Sequence, residues 1–482
     1  MALGRPEFRP LMGRRKLPMD FEDPLSSRSK MGIFKAYDIR GTVPDQLDAD
    51  IARKIGYHFA QFLSAKRLVV GQDMRTHSPE ITAAVSEGMR DAGCDVIRLG
   101  LASTPMTYFG IGSLDCDGGL CVTASHNPGE YNGMKLCSAG AKPISKVTGI
   151  AEIEERCAGA YPGAGAKRGK EEKVDVLNEY ADHVLKFAGL EREVHFAIDA
   201  ANGMAGYTLG SILERLPEAK AETLYMEPDG TFPNHEANPL KEENLEDLGK
   251  LVRDKGCEFG VSFDGDADRC CFVDENGKSV GADLMTALFA PRFLERFPGT
   301  PVVYDLRSSW AVKEEIQRAG GVPTRDRVGH SFMKATMREK GAMFGGELSG
   351  HFYFGENYTC DSGVIAMVTA LGLVGAKENQ GRAFSEIVAD LRRYASTGEI
   401  NFKVDDKDGK IAELKERYAD GSQDDLDGIT VEYGHLDDAE WWWFNVRPSN
   451  TEPYLRMVLE ASNADLCATK RDELVALLGT PV

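Results

Sequence analysis

Three aspartates alternate with small residues in Phe263-Asp264-Gly265-Asp266-Ala267-Asp268-Arg269. Carboxylates at i, i+2 and i+4 of one loop converge on a point only if a multivalent cation offsets their repulsion, so Asp264, Asp266 and Asp268 predict a hard-metal site. Calcium and magnesium compete for it. A calcium-binding loop between helices would also use Glu275, but it needs glycine where Arg269 stands, and the flanks read as strands. Magnesium takes a few carboxylates and completes its shell with phosphate oxygens, which suits a loop that also presents an arginine to an anion.

Three further loops carry side chains suited to chemistry. Thr123-Ala124-Ser125-His126-Asn127-Pro128-Gly129 follows an apolar run over 119–122, and a serine just past the carboxyl end of a parallel strand lies where α/β sheets place their ligands. Ser125 therefore reads as an exposed nucleophile. His126 is its neighbour in sequence, so in extended chain the two side chains would diverge. The G-x-S-x-G elbow is absent as well, and both points argue against a serine hydrolase. In Gly345-Gly346-Glu347-Leu348-Ser349-Gly350-His351, Glu347 and Ser349 sit two apart and are expected to point the same way, with glycines that let a ligand approach the backbone to have its sugar hydroxyls gripped. His351 reads equally as a packed, hydrogen-bonded histidine. Finally, Arg447-Pro448-Ser449-Asn450-Thr451-Glu452-Pro453-Tyr454-Leu455-Arg456 brackets a Ser-Asn-Thr turn with two arginines, which is what a phosphate dianion requires.

The elements that must position these loops follow from periodicity and punctuation. Short apolar runs alternate with helical patterns: strands at 67–71, 95–99, 194–198, 258–263, 302–304 and 342–344, and helices at 78–92, 205–214 and 310–319. Ser78 before Pro79 reads as a helix N-cap and Gly93 as the stop. Beyond 390, strands at 430–433, 441–446 and 455–460 with helices at 410–419 and 464–478 suggest an antiparallel arrangement, and Trp441-Trp442-Trp443 reads as strand and core packing. The expected fold is α/β: three similar mixed-sheet α/β domains (31–172 with the serine loop, 173–278 with the metal loop, 279–390 with the sugar loop), then a smaller α+β C-terminal domain (391–482) around a central cleft.

Composition narrows the function classes. The chain has 482 residues and a net charge of −19, a field that repels nucleic acid and anionic lipid. Residues 1–30 stand apart as a loose basic arm, with seven basic against four acidic side chains. The longest apolar run, 364–376, is too short for the roughly 18 residues of a membrane span. Ten cysteines with no C-x-x-C pair, and no apolar leader, point to reduced thiols in the cytoplasm.

In this order, the four loops resemble the α-D-phosphohexomutase family of phosphomannomutases and phosphoglucomutases. The resemblance also takes in Ile33-Phe34-Lys35-Ala36-Tyr37-Asp38-Ile39-Arg40-Gly41 and Val328-Gly329-His330-Ser331-Phe332-Met333-Lys334, so only the first thirty residues lie outside it. It implies reversible phosphoryl transfer between O1 and O6 of a hexose phosphate through a hexose 1,6-bisphosphate, which also serves as activator. Ser125 would carry the phosphate, and Mg2+ would sit on Asp264, Asp266, Asp268 and the phosphoserine. Lys135 and His351 would transfer protons, Arg40 would orient the reacting groups, and Arg269 would add positive charge. Glu347 and Ser349 would hold sugar hydroxyls. Arg447, Ser449, Asn450, Thr451 and Arg456 would clamp the distal phosphate, with His330 and Lys334 reaching toward the ligand. Such a protein would be a monomer or weak homo-oligomer. Gln72 in Gly71-Gln72-Asp73-Met74-Arg75 replaces an arginine common in the family, in a stretch expected to be peripheral to the chemistry. Leu348 stands where phosphoglucosamine mutases carry glutamine, so the expected substrate order is mannose, glucose, then glucosamine. The competing readings are a phosphoglucosamine mutase, a non-catalytic sugar-phosphate sensor and a calcium module.

Overall fold

The computed structural model describes residues 32–449 and 453–482; the basic arm expected over 1–30, and Asn450 and Thr451 of the phosphate loop, lie outside them. Four sheets follow one another along the chain. In the first, Gly118–Val122, Arg67–Gln72 and Asp95–Leu101 run parallel, while Tyr131–Ser138 returns antiparallel to Gly118–Val122 and carries Ile39–Thr42 at its edge. Helices cover the parallel strands, which explains why those strands read as apolar runs rather than alternating ones.

The second and third sheets repeat this plan. Val194–Asp199 lies parallel to Phe259–Phe263, which turns back into antiparallel Cys270–Asp274. Pro301–Asp305 lies parallel to Phe344–Gly346, which turns back into antiparallel Phe352–Phe354. The last sheet is antiparallel throughout, in the order Ala395–Lys403, Tyr454–Ala461, Trp442–Pro448, Ile429–Tyr433, Ser422–Asp424. Each of the four chemistry-bearing loops is thus the turn between two antiparallel neighbours of its own sheet.

Two local expectations need correction. The helix Ser78–Asp91 is capped by His77, not Ser78, and the His77 side chain makes no capping bond. Ser78 is buried and donates its hydroxyl to the carboxylate of Asp73, because a buried carboxylate is a stronger acceptor than helix-end amides are donors in water. The third-domain strand is Phe344–Gly346 rather than 342–344, so Gly345 and Gly346 belong to the sheet. A Cβ on Gly346 would collide with Thr286 of the covering helix Ala282–Arg296, and one on Gly345 would lie 2.8 Å from the Val303 carbonyl oxygen. These glycines admit the neighbouring helix and strand, not a ligand.

A single hydrophobic core joins the first three sheets, running from Val69, Ile97 and Phe109 through Phe196, Val261 and Phe263 to Phe344, Phe352 and the helix Gly363–Val374. Every residue of that helix is buried, which accounts for the apolar run at 364–376. The last sheet has its own core around Phe402, Val431, Phe444, Met457 and Leu474. It meets the third domain through Trp310, stacked on Trp441 at 4.4 Å between ring centres, with Trp443 and Val458 behind. There the buried Glu460 accepts from the Trp310 amide at 2.8 Å and from Trp443 Nε1 at 3.0 Å. The first three domains therefore share one interior, and the fourth is docked on them through a small aromatic contact and the ion pairs of Arg325 with Asp424 at 2.6 Å and with Glu432.

Candidate active site

The loop after Gly118–Val122 turns at Ser125, whose φ of +49° places a non-glycine residue in the left-handed region. Thr123 Oγ1 accepts from the Ser125 amide at 2.9 Å and supports the turn. The chain is consequently not extended here, and the expected divergence of Ser125 and His126 does not occur: Ser125 Oγ lies 3.2 Å from His126 Nδ1. Ser125 is 4% exposed, at the wall of a cleft of about 780 Å³.

The aspartate loop spans the turn between Phe259–Phe263 and Cys270–Asp274, with strands rather than helices on both sides. Asp264 Oδ2 accepts from Ser125 Oγ at 2.6 Å and from Arg269 Nε at 3.0 Å, and Arg269 Nη2 lies 3.2 Å from Ser125 Oγ. Asp264, Asp266 and Asp268 are at most 2% exposed, and one oxygen from each falls within 4.8 Å of the others. Asp266 Oδ1 and Asp268 Oδ1 are buried with no hydrogen-bond partner. Three buried carboxylates this close together, two of them with an oxygen lacking any hydrogen-bond partner, are a donor set that fits a hard divalent cation.

Lys135 sits on Tyr131–Ser138 directly opposite Cys121, and this register carries its ammonium to the same carboxylates: Asp266 Oδ2 at 2.7 Å, and Asp268. Burial opposes a charged lysine, but the three aspartates outweigh it and drive the Lys135 pKa upward. In return, Lys135 and Arg269 hold Asp268 below the usual carboxylate range against the effect of burial. Asp264 behaves oppositely: burial, helped by its two acidic neighbours and resisted by Arg269, pushes it up to about 7. His126 is held well below the ordinary imidazole range by Arg269 beside it and then by burial.

The third-domain loop reaches the metal loop through an isolated bridge between Arg269 and His351. His351 Nε2 lies 3.6 Å from Asp268 and 3.8 Å from Asp361, while Nδ1 lies 2.9 Å from Ser349 Oγ and 3.7 Å from Glu347. Burial first, then Arg269, keeps His351 a neutral imidazole. Glu347 is nearly enclosed and accepts from Tyr353 Oη at 2.6 Å and the Gly329 amide at 2.9 Å. Gly329 itself requires glycine: its φ is +131°, and a Cβ would lie 2.9 Å from Tyr37 Oη. That turn starts the helix His330–Lys340 and sets the His330 ring 6.0 Å from that of His351, in the cleft that Arg40 also lines. Arg40 binds Asp38 and Asn127 of the serine loop.

Lys334 departs from expectation. It is 0% exposed, with its ammonium 2.8 Å from Asp361 and over the Tyr108 ring at 4.4 Å. One helical turn past His330, it points into the shared core rather than the cleft.

Arg447 and Arg456 face each other across Trp442–Pro448 and Tyr454–Ala461. Like charges in register repel, and Glu399 of the neighbouring strand answers both: Arg447 Nη2 at 2.6 Å and Arg456 Nη1 at 3.3 Å. Arg307, bonded to Asp305 at 2.7 Å, adds a third guanidinium 3.8 Å from Glu399 and 4.0 Å from Glu347. Ser449 continues the strand into the loop, its amide bonded to the Tyr454 carbonyl at 2.9 Å. Polar and charged groups no more than 4.0 Å apart therefore run from Ser125 through Arg269, Asp268, His351, Glu347, Arg307 and Glu399 to Arg447. Sequence reading missed Arg307, Glu399 and Asp361, and nothing in their local pattern marks them.

Comparison with known proteins identifies the four domains. Residues 31–161, 178–277 and 281–394 match the models of the phosphoglucomutase/phosphomannomutase alpha/beta/alpha domains I, II and III, and 399–477 matches that of the C-terminal domain. The chain belongs to the phosphoglucomutase/phosphomannomutase family. As a member of that family it is a phosphotransferase of the mutase type. It is 39% identical over 451 residues to the phosphohexose mutases of Xanthomonas campestris, covering 92% of this chain and 98% of that one. To the phosphomannomutase of Salmonella montevideo it is 36% identical over 464 residues, covering 94% and 100%. The crystal structure of a phosphoglucomutase/phosphomannomutase family protein from Burkholderia thailandensis superposes with a TM-score of 0.84 at 32% identity, covering 92% and 96%. Among the described residues, no helix is long and apolar enough to cross a membrane.

Proposed function

We propose that the protein interconverts hexose 6-phosphate and hexose 1-phosphate through phosphorylated Ser125 and a hexose 1,6-bisphosphate, with mannose and glucose preferred over glucosamine. The observation that carries this reading is the setting of Ser125 Oγ, 2.6 Å from Asp264 and 3.2 Å from Arg269 at the wall of a sugar-sized cleft. Bound Mg2+, held by Asp264, Asp266, Asp268 and a phosphoserine oxygen, would supply neutralising charge for the transferring phosphoryl group.

The chain's own residues do the rest. The free hydroxyl of the sugar phosphate forms a bond to phosphorus as the bond to Ser125 Oγ breaks, and Arg269 holds the charge that builds on the serine oxygen. His351, a neutral imidazole oriented by Ser349 at 2.9 Å, takes the proton of the attacking hydroxyl. Lys135, charged and anchored on Asp266, and Arg40, which lines the same cleft, hold the phosphoryl oxygens. Glu347 and Ser349 orient sugar hydroxyls. Arg447, Ser449, Asn450, Thr451 and Arg456 grip the phosphate that is not reacting, with His330 along the wall between. The bisphosphate then turns end for end, Ser125 Oγ forms its bond to the other phosphorus as the bond to the sugar oxygen breaks, and His351 returns its proton to that oxygen. Rotation of the docked fourth domain opens room for that turn. The half-buried side chain of Leu348, whose amide is fixed on Asp305 at 2.7 Å, offers no hydrogen-bonding partner to a sugar amine. Ten free thiols suit a reducing compartment such as the cytoplasm.

The test is phosphate on Ser125 in the purified protein, read by peptide mass spectrometry, with Ser125→Ala losing turnover while retaining sugar-phosphate binding. Turnover of Ser125→Ala at the parent rate rejects the nucleophile. The kcat/KM values for mannose, glucose and glucosamine 1-phosphates, measured with a trace of bisphosphate, decide the substrate order.

A further inference from the structure

Arg75 ends the stretch Gly71-Gln72-Asp73-Met74-Arg75, which was expected to be peripheral, and the structure contradicts that expectation. The side chain is 1% exposed and lies directly beneath the serine loop. Nη2 donates to the carbonyl oxygens of Ser125 at 2.8 Å and Asn127 at 2.6 Å, and Nη1 to those of Pro128 at 2.7 Å and Tyr131 at 3.0 Å. Nε faces the buried carboxylate of Asp73 at 3.2 Å. Four of the five N–H groups of one planar fork are thus committed to one loop. The second domain seals the site: Phe232 lies 5.1 Å from the guanidinium, and Gly230 packs against the Arg75 backbone at 2.5 Å from where its Cβ would stand.

The loop needs such a scaffold. Ser125 sits at a φ of +49°, which costs free energy for any residue with a Cβ, and its carbonyl faces inward, away from water. Arg75 supplies the donor that this carbonyl lacks. The same carbonyl packs against Gly265 of the metal loop, where a side-chain carbon would collide with it. Holding the Ser125 carbonyl therefore fixes the conformation of the serine and also its spacing from Asp264.

We propose that Arg75 is a positioning residue for phosphoryl transfer, which captures the carbonyls of the serine loop and so aims Ser125 Oγ at Asp264 and Arg269. The proposal rests on the reading of Ser125 as the phosphorylated nucleophile. With its N–H groups directed at the loop and Asp73, Arg75 acts through the loop and not on the substrate. A lysine at this position carries one ammonium and cannot span four carbonyls.

The experiment uses the full chain with Mg2+, glucose 1-phosphate and a trace of glucose 1,6-bisphosphate, and compares the parent protein with Arg75→Lys and Arg75→Ala. Misplacing a reacting atom by about 1 Å costs on the order of 100-fold. Both variants should lose about that factor in kcat while the dissociation constant for glucose 1-phosphate stays within about threefold, because the phosphate grip lies on other domains. Guanidinium ion at low millimolar concentration should restore part of the turnover of Arg75→Ala and leave the parent unchanged. The proposal is overturned if Arg75→Lys keeps kcat within about threefold, or if binding falls in step with kcat. It is also overturned if neither variant folds by thermal melting, since the role is then structural only. Phosphate found on a residue other than Ser125 in the parent protein would instead sink the reading of the nucleophile. Phosphate on Ser125 together with normal turnover by Arg75→Lys sinks this proposal alone.

Discussion

Glu399 lies among the fourth-domain arginines that would grip a ligand phosphate under the proposed function, and its removal tests that grip directly. Its carboxylate accepts from Arg447 at 2.6 Å and Arg456 at 3.3 Å, with Arg307 at 3.8 Å. A ligand phosphate reaching the same guanidinium groups comes within about 6 Å of Glu399, where two like unit charges repel by about 3 kcal/mol at an effective dielectric constant of 20. Glu399 is 25% exposed at its side chain, so solvent screening reduces the effect to about 1.5 kcal/mol, or roughly tenfold in affinity. Glu399→Gln keeps the shape and one acceptor while removing the charge. The expected outcome is a KM for hexose 1-phosphate, and an inhibition constant for inorganic phosphate, each lowered by about tenfold, with the gain shrinking as salt rises. Turnover should not rise, because under the proposed function the intermediate would have to release this grip to reverse its ends. A folded variant with unchanged or weakened phosphate affinity at low salt would refute the reasoning and make Glu399 a purely structural partner of the arginines.

Two further outcomes follow from buried contacts. Burial pushes Glu460 up to about 7 from an ordinary value of 4.5, so the folded chain holds a proton there that the unfolded chain has released. The contribution of this group to stability is therefore present below about pH 4.5 and is lost as pH rises through about 7, by up to about 3 kcal/mol. Thermal melts over this window should show that decline in the parent and a flatter profile in Glu460→Gln; parallel profiles would contradict it. Gly346→Ala forces a methyl group against Thr286, and urea unfolding should read a loss of about 1–3 kcal/mol, partly recovered in the double variant with Thr286→Ala. A neutral single substitution would show that the sheet and its covering helix separate more easily than their packing indicates.

The sequence by itself determined the chemistry on offer. The alternating aspartates, the serine turn and the paired arginines are local patterns, and the apolar runs that lead into the serine and aspartate loops became parallel strands close to the expected limits. The helix over 464–478 and three strands of the last sheet were equally legible, because periodicity and capping act over a few residues, whereas the mostly exposed strands Ala395–Lys403 and Ser422–Asp424 were not expected. The misreadings have physical causes: Ser78 turned inward to a buried carboxylate, Gly345 and Gly346 made room for a helix, and Lys334 followed its helix into the core. Only the tertiary structure decided which residues meet. Arg75 reaches Ser125 across fifty positions, Lys135 reaches Asp266 across 131, and Glu399 reaches Arg447 across 48. None of these pairings leaves a local mark, since charge, donor geometry and burial select partners in space after the sheets have set the register of the strands and the shared core has set the sheets against one another.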